Sequence, residues 1–190
     1  MKNLAVFASG GGTNFQAMID DGIDENVTIA LLVCDKKDAY AIKRAKDAGI
    51  DTFVFDAKDY EKKSDFETEI LAKLKEKKID FIALAGYMRL IGDVLLSAYE
   101  GKIVNIHPSL LPAFKGIGAI EQAIEHGAKV MGVSIHYVDS GMDTGKIIAQ
   151  SAFEVRADMS KAKIEDRVHK IEHTLYPQVL RKLLCDTVVR

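Results

Sequence analysis

V-N-I-H-P-S-L-L, residues Val104 to Leu111, decides how the chain is read. Ile103, Val104 and Ile106 are β-branched and apolar, so the stretch begins as a buried strand. Pro108 fixes its own φ and pushes His107 toward extended geometry, so a Pro-bounded turn ends the strand there. Asn105 and His107 alternate with Val104 and Ile106, which places both polar side chains on one face. An amide donor beside an imidazole at the carboxyl end of a buried strand can polarise a carbonyl and move protons. The pair also suits a plain strand end with a hydrogen-bonded Asn and a satisfied His. The rest of the chain decides between the two readings.

Upstream, Leu4–Ala8 reads as a buried strand that runs into S-G-G-G-T-N (Ser9–Asn14) and then the helix F-Q-A-M-I-D. Strand, Gly-rich turn and helix is the layout that aims backbone N–H groups at an anion. Phe15 stands where a dinucleotide fingerprint needs its last glycine, and no Gly-Lys-Ser/Thr follows, so the turn suits a small phosphate. Strands are expected at Val27–Cys34, Thr52–Phe55 and Phe81–Ala85, and helices at Tyr40–Ala48, Asp59–Lys78 and Val94–Tyr99. Downstream lie a helix at Ala119–His126 capped by Gly127, a strand at Val130–Val138 and an antiparallel partner at Ile147–Val155. Ser160–Leu184 reads as one helix, or as two broken at Pro177.

Apolar strands alternating with helices predict an α/β fold: a Rossmann-like, mostly parallel sheet with helices on both faces and a C-terminal antiparallel strand. Ligands of such sheets bind outside the carboxyl ends of the strands. Ser9–Asn14, Gly86–Ile91 and Asn105–Ser109 all fall at such ends. The 190 residues suit one domain, and a net charge of −2 gives no basic bias toward nucleic acid. Cys34 and Cys185 lie far apart without metal-ligand spacing. With no signal-peptide pattern and no apolar run of membrane length, the expectation is a cytoplasmic protein that engages no membrane.

Together, N-I-H-P-S-L-L-P, the later S-G-M-D-T-G, S-G-G-G-T-N, L-A-G-Y-M-R and E-H-T-L-Y-P resemble the phosphoribosylglycinamide formyltransferase family, folate-dependent enzymes of purine synthesis. The resemblance covers essentially the whole chain. It implies a single formyltransferase-fold domain over 1–190, phosphate-binding in its N-terminal half and folate-binding and catalytic in its C-terminal half. It also implies transfer of a formyl group from 10-formyltetrahydrofolate, a co-substrate, to the amine of glycinamide ribonucleotide, without a metal. Direct amine attack makes a tetrahedral oxyanion, which needs a donor for its oxygen and a route for the amine proton. Asn105 would donate to the formyl oxygen, His107 would act as general acid, and Asp143 would hold the imidazole and relay protons.

By the same resemblance, Gly12, Thr13 and Asn14 would take the ribonucleotide phosphate, with Glu172 on its ribose and His169, Lys170 and Ile171 nearby. The folate would sit against Met88, Arg89, Leu90 and Ile91, with the loop of Asp139, Ser140, Gly141, Met142 and Asp143. Arg89 suits a carboxylate of the folate tail, since its fork matches one, and Lys63 is a further candidate. The partners are small molecules, with the chain a monomer or homodimer. On an alternating strand, His136 reads as a satisfied core or interface residue; His126 and His173 receive no role. Gly118 and Lys146 depart from the residues common in the family at the site rim. Methionyl-tRNA formyltransferase and formyltetrahydrofolate hydrolase share the formyl-transfer core, but the expected extra domains are not seen in this sequence. A non-catalytic folate- or nucleotide-binding module is opposed by the competent residues at all three catalytic positions.

Overall fold

A computed structural model describes residues 1–185, so 186–190 of the expected single domain lie outside it. The chain runs β1 (Lys2–Ala8), α1 (Thr13–Asp21), β2 (Val27–Cys34), α2 (Tyr40–Asp47), β3 (Asp51–Val54), α3 (Lys63–Glu76) and β4 (Phe81–Leu84). It continues with α4 (Asp93–Ala98), β5 (Ile103–His107), α5 (Ala119–Glu125), β6 (Val130–Tyr137), β7 (Ile147–Glu154) and α6 (Lys161–Cys185). The seven strands form one sheet in the order β3-β2-β1-β4-β5-β6-β7. Strands β1 to β5 pair in parallel, whereas β6 runs antiparallel to both β5 and β7. The expected antiparallel pairing of the last strand with β6 is present, and it is β6 that reverses direction against β5.

Side-chain alternation along β1 feeds two cores. Leu4, Val6 and Ala8 join Phe15 and Met18 of α1, Ala41 and Ala45 of α2, and Tyr176 and Leu180 of α6. Ala5 and Phe7 point to the other face, against Phe66, Ile70 and Leu74 of α3 and Leu95 of α4. Strands buried on both faces explain the near-continuous apolar runs.

One expected element differs in extent, and for another the structure selects between two alternatives. The charged helix expected over Asp59–Lys78 is a single 3-10 turn at Ala57–Asp59 followed by α3. Lys62 is extended, with φ −134° and ψ 154°. The Asp65 carboxylate accepts the Lys62 N–H at 3.1 Å and starts the helix there. The C-terminal helix passes through Pro177 without breaking into two. Proline removes a hydrogen bond, but tertiary packing offsets this loss. Tyr176 and Pro177 are buried, and the Tyr176 hydroxyl donates to the carbonyls of Leu84 at 2.9 Å and Val104 at 3.2 Å. Among the described residues, no helix is long and apolar enough to cross a membrane.

Candidate active site

Antiparallel pairing of β5 with β6 sets His136 directly opposite Asn105 and Ser134 opposite His107. The loop after β6 then returns Asp143 to the same place. His107 Nδ1 lies 3.4 Å from Asp143 Oδ2, and His136 Nε2 lies 3.5 Å from Asp143 Oδ1. Asn105 Nδ2 donates to Asp143 Oδ1 at 3.4 Å and lies 3.2 Å from His136 Nε2. The opposite ring nitrogen of each histidine meets a carbonyl: His107 Nε2 at 2.8 Å from Phe114 O, and His136 Nδ1 at 2.8 Å from Tyr137 O. A carbonyl only accepts, so those two nitrogens carry hydrogens. His136 Nε2 thus faces both the Asn105 amide and the Asp143 carboxylate.

The Asp143 carboxyl is held down at about 2, chiefly by the His136 contact; desolvation opposes this, and the Gly116 N–H and the His107 charge assist it. The Gly116 N–H donates to Oδ2 at 2.8 Å. Phe114 and Asp143 adopt left-handed backbone, with φ of 53° and 52°, which for non-glycine residues costs about 1–3 kcal/mol each. The surroundings enforce that conformation. A Cβ on Gly145 would fall 1.7 Å from the Tyr137 carbonyl oxygen, so the loop crosses β6 in contact with its backbone. Asp139 closes the same loop on itself, accepting from Gly141 N at 3.0 Å and Thr144 Oγ1 at 2.6 Å. The turn after His107 is pinned through buried Ser134, whose hydroxyl donates to Ser109 O at 2.7 Å and accepts the Leu111 N–H at 2.9 Å.

At the carboxyl end of β1 the Gly-rich loop is held from behind. Ala41 N donates to Gly10 O at 3.1 Å and Arg44 Nε to Gly11 O at 2.8 Å. With these carbonyls turned toward α2, the backbone N–H groups from Gly10 to Phe15 make no hydrogen bond among the described residues. Gly12 takes φ +68°, and a Cβ there would meet the Ala41 Cβ at 2.8 Å. Thr13 is exposed, while Asn14 Nδ2 donates to Glu172 Oε2 at 3.3 Å. His169 Nδ1 lies 2.9 Å from the same oxygen, which raises the His169 pKa. Burial lowers the pKa of His173, with Glu172 opposing and with His169 and Arg44 assisting. Asn14 Oδ1 and His173 Nε2 are buried without a partner. Lys170 turns instead to Asp166 at 2.7 Å, and Ile171 packs against the core.

Between these two centres lies the segment after β4. Met88 and Leu90, two positions apart, are 67% and 49% exposed, while Ile91 is buried. Leu90, Ile91, Gly92, Lys63 and Ser140 line one pocket. The segment is tied down by Met88 N to Ser9 Oγ at 2.9 Å, Arg89 Nε to Asp35 Oδ2 at 2.7 Å, and Gly92 N to Glu67 Oε1 at 2.6 Å. Burial raises the Glu67 pKa. Met142 is exposed on the facing loop. Among the described residues, no group of three His, Cys, Asp or Glu side chains is arranged to hold a metal.

The family model for formyl transferases matches residues 2–180. The chain belongs to that family. It is 54% identical over 186 residues to phosphoribosylglycinamide formyltransferase of Bacillus subtilis, covering 97% of this chain and 95% of the relative. A crystal structure of glycinamide ribonucleotide transformylase 1 from Geobacillus kaustophilus superposes with a TM-score of 0.93 at 57% identity, covering 97% of this chain and 99% of the other. The trifunctional purine biosynthetic protein adenosine-3 of Homo sapiens is 38% identical over 187 residues; the match covers 97% of this chain and 18% of that longer protein. The family and its fold are those the sequence resemblance implied.

Four residues of this constellation are not marked by the sequence. His136 looked like a core residue because its partner strand was unknown; the register that places it beside Asn105 arises from β5–β6 pairing. His173 stands one residue after Glu172 on α6, where the pattern E-H was visible but its orientation was not. Asp35 and Glu67 carry no local sign that they reach the segment after β4. Gly118, noted as a departure, caps α5 with φ +70°, a conformation that suits glycine.

Proposed function

We propose that the chain transfers the formyl group of 10-formyltetrahydrofolate to the amine of glycinamide ribonucleotide in purine synthesis. The observation that carries this reading is the cluster of Asn105, His107, His136 and Asp143 at the carboxyl end of β5. The open N–H groups of Gly12, Thr13 and Asn14 take the phosphate, with the unpartnered Asn14 Oδ1 and His173 Nε2 beside them. Glu172 meets the ribose hydroxyls, and His169, whose protonated form Glu172 favours, stands beside it. Lys170 and Ile171 stand between His169 and Glu172 on the same helix.

Leu90, Ile91 and Met88 cover the apolar part of the folate, with Ser140, Gly141, Met142 and Asp139 forming the opposite wall. Arg89 takes a carboxylate of the tail, and Lys63 lies at the pocket mouth. The amine attacks the formyl carbon directly, and Asn105 Nδ2 donates to the oxygen as it gains charge. The proton on His107 Nε2, which rests on the Phe114 carbonyl, passes to the departing folate nitrogen once substrate displaces that contact. Asp143 stays ionised throughout, orients both imidazoles and helps relay the amine proton through water to the His107 nitrogen that has given its own away. We place this activity in the cytoplasm, in keeping with the buried thiol of Cys34, and in a monomer or homodimer.

The test incubates the purified chain with 10-formyltetrahydrofolate and glycinamide ribonucleotide. Stoichiometric tetrahydrofolate and formylated ribonucleotide are expected. Tetrahydrofolate and formate released at the same rate without the ribonucleotide would overturn amine transfer in favour of hydrolysis.

A further inference from the structure

Asp35 follows the last residue of β2, and its side chain is 1% exposed. Its Oδ2 accepts Arg89 Nε at 2.7 Å, while its Oδ1 is buried with no hydrogen-bond partner. Arg89 is 31% exposed and lies over the Phe66 ring, 5.9 Å from its centroid. Among the described residues its hydrogen bonding ends at Nε, so its terminal nitrogens remain available. Stability alone is a poor account of this pair. A buried ion pair with a half-satisfied carboxylate contributes no more than an apolar pair of equal volume, and often less. Geometry is a better account. A guanidinium gripped along its Nε edge by a fixed carboxylate, with a ring on one face, has lost its freedom to swing. Its remaining nitrogens point away from the grip. Planar donors held in this way suit one carboxylate, bidentate, more than a diffuse anion.

We propose that Asp35 is a positioning residue for the folate tail: it holds Arg89 from inside the protein so that the terminal guanidinium nitrogens face outward as a fork for one tail carboxylate. The proposal rests on the assignment of Arg89 to that tail made above. It also bears on specificity. Preorganising the fork reduces the ordering cost on binding, so the benefit appears only with a ligand that carries the carboxylate.

Steady-state kinetics of Asp35→Asn test this, with 10-formyltetrahydrofolate and with its derivative in which both glutamate carboxylates are amidated. The variant should raise the KM for the natural folate roughly tenfold, the loss of one charge-assisted contact. Its kcat, its KM for the ribonucleotide and its KM for the amidated folate should match wild type. A penalty shared by both folates, or by the ribonucleotide, marks a merely structural role and overturns the proposal. Arg89→Ala separates the two layers. If it leaves the folate KM unchanged, the Arg89 assignment itself is wrong; if it raises that KM while Asp35→Asn does not, only the role of Asp35 falls. Should Asp35→Asn fail to fold, Arg89→Lys carries the test, because an ammonium keeps the charge but has no fork. Lysine at wild-type folate KM would then overturn the proposal.

Discussion

The two ends of the candidate site are built from different groups. Around β1 they are backbone N–H donors of Gly10 to Phe15, left open because Ala41 and Arg44 draw the loop carbonyls back toward α2. Around β5 and β6 the groups are side chains, drawn from two antiparallel strands and a loop whose Asp143 sits in left-handed backbone. The first arrangement lies within a few residues of sequence and, in the proposed function, serves a permanent charge. The second joins residues far apart in sequence and, in that proposal, serves a charge that exists only during reaction. A backbone site tolerates its neighbours' side chains, whereas a side-chain site depends on strand register to within one residue.

If that division of labour holds, damage at one end should appear in kcat and at the other in KM. The largest effect is expected at the β5 end. Asn105→Ala should lower kcat about 10²–10³-fold, the usual loss for one oxyanion donor, with little change in either KM. A rise confined to the ribonucleotide KM would show that Asn105 belongs to substrate binding and erase the distinction.

Next in size is the acid sensitivity of the catalytic end. Asp143 has a folded pKa near 2 against an ordinary value of 3.8, so its contribution is present above pH 4 and lost as pH falls toward 2. That contribution is about 2 kcal/mol. Asp143→Asn should be less stable at neutral pH and should lose less stability between pH 5 and pH 2. Urea unfolding midpoints across this range check it; parallel curves for the two proteins would mean that Asp143 is not held as the structure has it. The smallest effect is expected at the β1 end. Asn14→Ala should raise the ribonucleotide KM about tenfold through one lost polar contact and leave kcat and the folate KM alone. Equal effects on both substrates would show that α1 positions the whole site and not the phosphate alone.

Much of this was readable in one dimension. The strand at Ile103–His107, its Pro boundary and the shared face of Asn105 and His107 follow from alternation and from proline chemistry, both properties of neighbouring residues. The glycines of the phosphate loop likewise announce themselves, because a backbone without Cβ is a local requirement. Whether Pro177 breaks the last helix is left open by local argument, and there packing of Tyr176, Val179 and Leu180 decides for one helix.

By itself, then, the sequence determined the α/β alternation, the shared strand face of Asn105 and His107, and the Gly-rich turn after β1. Only the tertiary structure decided that β6 reverses, that His136 therefore faces Asn105, and that Asp35 and Glu67 grip the segment after β4. The physical reason is range. Periodicity and backbone sterics act over a few residues, but strand neighbours and buried ion pairs are set by which apolar surfaces can be covered at once, a property of the whole chain.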